Sequence, residues 1–319
     1  PWETPRVKVT DRLAAADRPL LSVEIIPPRR GGDVARLERA IESILPFEPA
    51  FIDITSHAAD TEVGDDGAAR RVKRKAPGTF GLCAAIRYRY NVDPVPHVLC
   101  NGFTAEETED ALIELDYLGV ENVMCLRGDA ARREVPGRTS HTTATDLVAQ
   151  VAAMNAGRYL DDLVGEPTDF CIGVSAYPEK HVESPSLDHD LEVLKRKQDL
   201  GAAYAVTQLF YDVEAYLAFV ARARDVGVTM PILPGLKILT SPKQLEVVPR
   251  IFGCRIPDGL ADAITAASSA EAAETAGIAW ARMMVERLVE AGSPLVHFYV
   301  MQHTDPLVRL MESLAKEEP

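Results

Sequence analysis

Eight short apolar runs, each followed by a stretch with helical spacing, constrain this chain more than any other feature of its 319 residues. The runs cover residues 20–26, 51–55, 94–100, 120–126, 170–176, a segment ending at Thr207 and Gln208, and residues 231–236 and 294–299. Most are apolar at successive positions rather than at alternate ones, the pattern of parallel strands buried on both faces. Between them, residues 34–45 place Val34, Leu37, Ile41 and Leu45 on one helical face, and residues 187–200 do the same with Leu187, Leu191 and Leu194. Further helices are predicted from Thr79, from a Thr104 and Glu107 capping box to Tyr117, and over 145–156, 213–225, 242–252, 270–290 and 306–316. Residues 60–78 read as a long polar loop carrying the basic run Arg70, Arg71, Lys73, Arg74 and Lys75.

Eight strands alternating with helices, with no Gly-rich dinucleotide loop after the first, predict an α/β fold: a single (β/α)8 barrel of the TIM type. The 47% apolar content suffices for one large core, and no Pro/Gly/Ser-rich linker divides the chain, so residues 1–319 are expected to form one catalytic domain. A net charge of -14, from 34 basic and 48 acidic residues, opposes binding to nucleic acid and to anionic membranes. The five cysteines are scattered through apolar runs without C-x-x-C spacing, which predicts core thiols, no metal centre and a reducing, cytoplasmic setting.

In such a barrel the chemistry sits where the strands end. Glu24 stands on the first strand, Thr55, Ser56 and His57 follow the second, and His97 and Asn101 belong to the third. Arg127, Gly128 and Asp129 follow the fourth, Tyr177 and His181 the fifth, Gln208 the sixth, Lys237 the seventh, and His297 with His303 the eighth. Polar groups recur there more often than packing requires. The helix after the fifth strand adds Asp190, Val193, Arg196 and Lys197 at steps of three and four, so one strand-helix-strand unit offers an aromatic ring, an imidazole, a carboxylate and two cations. A large anionic cofactor with a planar head would use them all. Glu24, in an apolar run just before Pro27 and Pro28, is expected to hold its proton near neutral pH through desolvation, or else to pair with Arg29.

The segments VEIIPPR (23–29), DITSHA (53–58), PHVLC (96–100), LRGD (126–129), AYPEKH (176–181), DLEVLKRK (190–197), TQLF (207–210), PGLKILTSPKQ (234–244), RIP (255–257) and VHFY (296–299) resemble, in order and spacing, methylenetetrahydrofolate reductase. The resemblance runs from about Leu20 to about His303. It implies a barrel that binds FAD, takes hydride from NADH or NADPH, and passes it to 5,10-methylenetetrahydrofolate. Glu24 would be the acid that opens the methylene bridge. Thr55, His97, Arg127, Gly128, Asp129, Ala144, Tyr177, His181, Asp190, Arg196 and Lys197 would contact FAD, and Asp129, Gln208, Gln244 and His303 the folate. The resemblance also implies a homo-oligomer, and a chain ending at residue 319 is expected to lack the regulatory domain that some members carry after the barrel.

Some positions depart from the family pattern. Val193 replaces a polar residue of the FAD-binding helix, Ser56 an aromatic one and Thr143 a tyrosine, while His303 stands where a basic residue often meets the folate glutamate tail. The basic run 70–75 is a candidate replacement for that charge. Two other functions fit the residues: a flavin-binding subunit relaying electrons within a larger complex, and a flavin-free barrel lyase. Turnover by the isolated chain with NAD(P)H separates it from the first, and bound flavin from the second.

Overall fold

Every predicted apolar run lies in one parallel sheet of the computed structural model, which describes residues 7–57, 59–63, 69–74, 76, 78–128 and 139–316. The barrel strands are β1 (Leu20–Ile25), β2 (Phe51–Ile54), β3 (Asp93–Leu99), β4 (Asn122–Leu126), β5 (Cys171–Ala176) and β6 (Ala202–Thr207). A seventh strand, β7, comes in two halves (Ile232–Leu233 and Gly235–Leu236), and β8 is Leu295–Met301. Neighbours in sequence are neighbours in the sheet, all parallel, and β1 also pairs with β8. The first half of β7 pairs with β6 and the second with β8, so the interrupted strand completes the barrel. Pro234 stands at the interruption; it has no N–H to give, but its carbonyl accepts from His297 N–H at 2.9 Å.

Alternation along the strands divides two apolar layers. Phe51, Val95, Met124, Cys171, Tyr204, Val206, Leu233 and Leu295 share the inner cluster, whereas Val23, Ile25, Ile52, Ile54, Val123 and Val174 pack outward under the helices. All five cysteines are buried and unpaired. The predicted Thr104 capping box is present in full, with Glu107 N–H donating to Thr104 Oγ1 at 3.1 Å and Thr104 N–H to Glu107 Oε2 at 3.0 Å.

Three departures from the sequence reading concern the ends of the barrel. Residues 60–78 are not simply a loop: Ala59–Val63 and Ala69–Arg74 pair as an antiparallel hairpin, and Lys75 lies outside the described residues. A short helix at Val9–Ala15, not predicted, covers the amino ends of the strands. Val9 joins the inner cluster, its N–H donates to Asn122 Oδ1 at 2.8 Å, and Arg12 pairs with the buried Asp93 at 2.5 Å. A second unpredicted helix, Asp258–Thr265, joins the helix Ala270–Glu290 in a smaller cluster beyond β7. No helix among the described residues is long and apolar enough to cross a membrane.

Candidate active site at the carboxyl ends of the strands

Glu24 enters the barrel interior from β1, one residue before the strand ends, and its register partners are Asp53 on β2 and Tyr299 on β8. Its carboxyl lies 3.5 Å from His97 Nε2 of β3. Burial raises the Glu24 pKa to about 8, with the Lys237 ammonium opposing the rise, and burial lowers that of His97 to about 3, His57 adding to it. The contact therefore joins a protonated carboxyl to a neutral imidazole, not two ions. Arg29, the alternative partner, is exposed. Lys237, on the residue after β7, donates to the Tyr299 carbonyl at 3.3 Å, and burial lowers its pKa against the pull of Glu24. The Tyr299 hydroxyl donates to the Thr207 carbonyl at 2.6 Å, fixing the ring across the barrel. Thr55, which follows β2, is 8% exposed and its hydroxyl has no hydrogen-bond partner among the described residues, so a polar group is ready for a ligand there.

At the same end of the barrel, a cleft of about 230 Å³ whose lining does not include Glu24 opens between the ends of β4 and β5. Arg127 follows β4, Thr143 and Ala144 begin the next helix, and Tyr177 and His181 follow β5, while Asp190, Val193 and Lys197 line the far wall. The Tyr177 and His181 rings meet edge to face, 4.6 Å between centroids, and Ser175 donates to the tyrosine hydroxyl at 3.2 Å. Asp190 accepts the His181 backbone N–H at 2.7 Å, which ties the loop after β5 to the helix Leu187–Asp199. Lys197 is 6% exposed and donates to the Ser175 carbonyl at 3.2 Å; burial lowers its pKa to about 8, with Asp190 holding it up. Arg127 reaches Glu183 at 2.5 Å. Gly128 adopts φ +81° and its carbonyl accepts from Asn101 Nδ2 at 3.0 Å, a turn that a residue with a Cβ would strain. Two cations, an aromatic pair and two carboxylates, Asp190 and the Glu183 that pairs with Arg127, thus converge on one cleft, a combination able to take a phosphate-bearing ligand with a ring system if Arg127 exchanges Glu183 for the phosphate.

The structure does not bring all the predicted residues together. Arg196 is exposed and is not part of the cleft wall. Gln208 is half-buried, with its side-chain oxygen accepting the Leu209 N–H at 3.0 Å. Gln244 accepts from Thr240 N–H at 2.6 Å, which ties its side chain to the residue before Ser241, the N-cap of the helix Pro242–Phe252. His303 is exposed after β8, and Asp129 lies outside the described residues. Sequence reasoning gave no role to Asp53 or Tyr299, and placed His297 among the polar groups of the eighth strand without assigning it one. The inward alternation of β2 and β8 is the signal that could have found them, because it carries all three toward Glu24.

Comparison with known proteins supplies the family. The family model for methylenetetrahydrofolate reductase matches residues 8–315. The chain is 30% identical over 293 residues to the 5,10-methylenetetrahydrofolate reductase of Escherichia coli, covering 89% of this chain and 87% of that one. It is 27% identical over 315 residues to methylenetetrahydrofolate reductase 1 of Schizosaccharomyces pombe, covering 97% of this chain but 48% of the relative, so it spans about half that protein's length. Among solved structures, a Clostridium thermocellum protein described as binding two copies of 5-methyl-5,6,7,8-tetrahydrofolic acid superposes with a TM-score of 0.59 at 15% identity, covering 97% of this chain and 99% of that one. That last likeness concerns the fold alone. With a family match over nearly its whole length and a barrel to carry it, this chain belongs to the methylenetetrahydrofolate reductase family.

Proposed function

We propose that the chain reduces 5,10-methylenetetrahydrofolate to 5-methyltetrahydrofolate, with FAD as resident carrier and NADH or NADPH as hydride donor. The observation that carries this reading is Glu24, held protonated by burial near the carboxyl end of β1, in a barrel of this family that carries a cleft of charged and aromatic groups at the same end. The cleft suits FAD. Arg127 and Lys197 match a pyrophosphate and Asp190 matches hydroxyls; outside the cleft lining, the turn at Gly128 next to Arg127 admits a close approach, and the unpartnered Thr55 hydroxyl after β2 offers a hydrogen bond. When bound, FAD supplies reversible hydride carriage, so nicotinamide and folate can react at one site in separate half-reactions.

The chain's own part is proton handling and positioning. Glu24 donates its carboxyl proton to a nitrogen of the methylene bridge; the O–H bond breaks, the N–H bond forms, and the bridge opens to a cation able to receive hydride. The carboxylate left behind lies within the influence of the Lys237 ammonium. His97, kept neutral by burial, can hydrogen-bond Glu24 without competing for its proton at neutral pH.

An anaerobic visible spectrum of the purified chain with added FAD tests the proposal. Flavin absorbance should bleach with NADH or NADPH and return on adding 5,10-methylenetetrahydrofolate. Flavin that neither nicotinamide bleaches would instead indicate a protein donor, and failure to bind flavin would leave the barrel lyase.

A further inference from the structure

Beneath the mouth of the barrel, Glu24 belongs to a closed set of polar residues on three adjoining strands. Asp53 is its register partner on β2, is 1% exposed, and places Oδ2 3.7 Å from His297 Nε2 of β8. The wholly buried His297 shares a 2.8 Å hydrogen bond between Nδ1 and the hydroxyl of Ser22, two residues before Glu24 on β1. Asp53 Oδ1 has no hydrogen-bond partner among the described residues. The ionisable groups facing this pair are His97, Tyr204, Lys237, His297 and Tyr299, with His57 behind His97. Among the described residues no lysine or arginine forms an ion pair with Asp53, whose one charge-type contact is with an imidazole that burial keeps neutral. An ionised Asp53 would be a buried charge without compensation.

Resting on the reading of Glu24 as the acid, we infer that Glu24 and Asp53 work as an acid pair in which Asp53 is a positioning residue: it keeps its own proton and hydrogen-bonds the carboxylate that Glu24 becomes. With the His297 proton on Nε2, the Ser22 hydroxyl donates to Nδ1 and Nε2–H faces Asp53 Oδ2 at 3.7 Å; Asp53 Oδ1, without a hydrogen-bond partner among the described residues, is then free to carry the proton toward Glu24, its register partner, once Glu24 is ionised. When Glu24 gives up its proton the electron pair stays on its own oxygen, and the Asp53 proton strengthens its hydrogen bond without leaving. Nothing is oxidised, and solvent returns one proton to Glu24 after product departs. Two carboxyls sharing a site in this way make the first proton easier to lose and the second harder.

The test is the sign of a shift in pH dependence. In Asp53→Val, which removes the donor and keeps the site dry, the alkaline limb of the folate half-reaction should move up by about one pH unit and the neutral rate fall about tenfold. Asp53→Asn, still a donor, should keep the limb near its wild-type place. A downward shift in Asp53→Val would mean that Asp53 is ionised, and no shift that it is a bystander; either overturns the inference. Should Asp53→Val not fold, infrared spectra of the ligand-free chain near neutral pH decide: Asp53→Asn should remove one protonated-carboxyl absorption and Glu24→Gln another, and an unchanged spectrum in Asp53→Asn overturns it. Full folate reduction by Glu24→Gln would sink the role of Glu24 itself, while a block in Glu24→Gln with an unmoved limb in Asp53→Val sinks only the pair.

Discussion

Glu24 is one carboxyl asked to stay protonated where most are ionised, and that has consequences for rate and for stability. In the proposed function it works as an acid only while it holds its proton, so the folate half-reaction proposed above should be level below about pH 8 and fall about tenfold per unit above it. Glu24→Gln should accept hydride from the nicotinamide at the wild-type rate but fail to pass it to folate, as followed by stopped-flow flavin absorbance. In the folded chain Glu24 keeps its proton to about pH 8, whereas an unfolded glutamate releases it near 4.5. Between those values the unfolded state binds fewer protons, so this residue makes stability fall as pH rises. Gln carries no such penalty. The melting temperature of Glu24→Gln should therefore exceed that of the wild type by a margin that widens from about pH 4.5 to 8 and then stays constant; a margin independent of pH would refute the raised pKa. Glu24 could be found in the sequence because a charge in an apolar run beside two prolines stands out. Asp53 in FIDI is the same signal with no proline beside it, and it was passed over. Arg196 stands apart from the cleft wall for a geometric reason: Lys197 is seven positions from Asp190, close to two full helical turns, whereas six positions put Arg196 about 120° round the helix, where it is exposed.

The elements themselves were legible wherever burial was two-sided or a cap was chemical. Strand bounds fell within about two residues because covered parallel strands have apolar positions on both faces. The helix Val9–Ala15 escaped because it has seven residues and buries only Val9, too little for a periodicity to register. The hairpin escaped because its charged strands, ADTEV and ARRVKR, carry no sustained apolar alternation, and the break in β7 because Pro234, between Leu233 and Gly235, reads equally well as part of a strand. Helix packing supplies a further test. A Cβ at Gly277 in the helix Ala270–Glu290 would overlap the backbone carbonyl of Leu239. In an exposed helix Gly→Ala stabilises by about 1 kcal/mol; here Gly277→Ala should destabilise by about 1–3 kcal/mol, seen as a lower urea midpoint. The sign of the change distinguishes close packing from mere propensity.

For the molecule as a whole, the two ends of the barrel have different tasks. The carboxyl end carries the acid and the cleft, while the amino end is sealed by the helix Val9–Ala15 and by Asp93, which holds Arg12 at 2.5 Å and the buried Arg87 at 3.1 Å. Asp93→Asn leaves the Arg87 charge buried without its carboxylate, and should cost about 3 kcal/mol of stability in urea denaturation while the spectrum of the folded protein with added FAD, the proposed cofactor, stays unchanged. A spectrum altered together with stability would mean that floor and mouth are not independent. Closure has a consequence in time as well. Ser22 and His297 touch across 275 residues of chain, and β8 joins the first strand to the second half of β7. Until that last strand leaves the ribosome, both margins of the growing sheet stay bare, and the polar set around Glu24 lacks one wall. Synthesis therefore passes through a long interval in which the nascent chain has almost all of its helices and no finished interior, the period in which it most needs protection from pairing with its own copies.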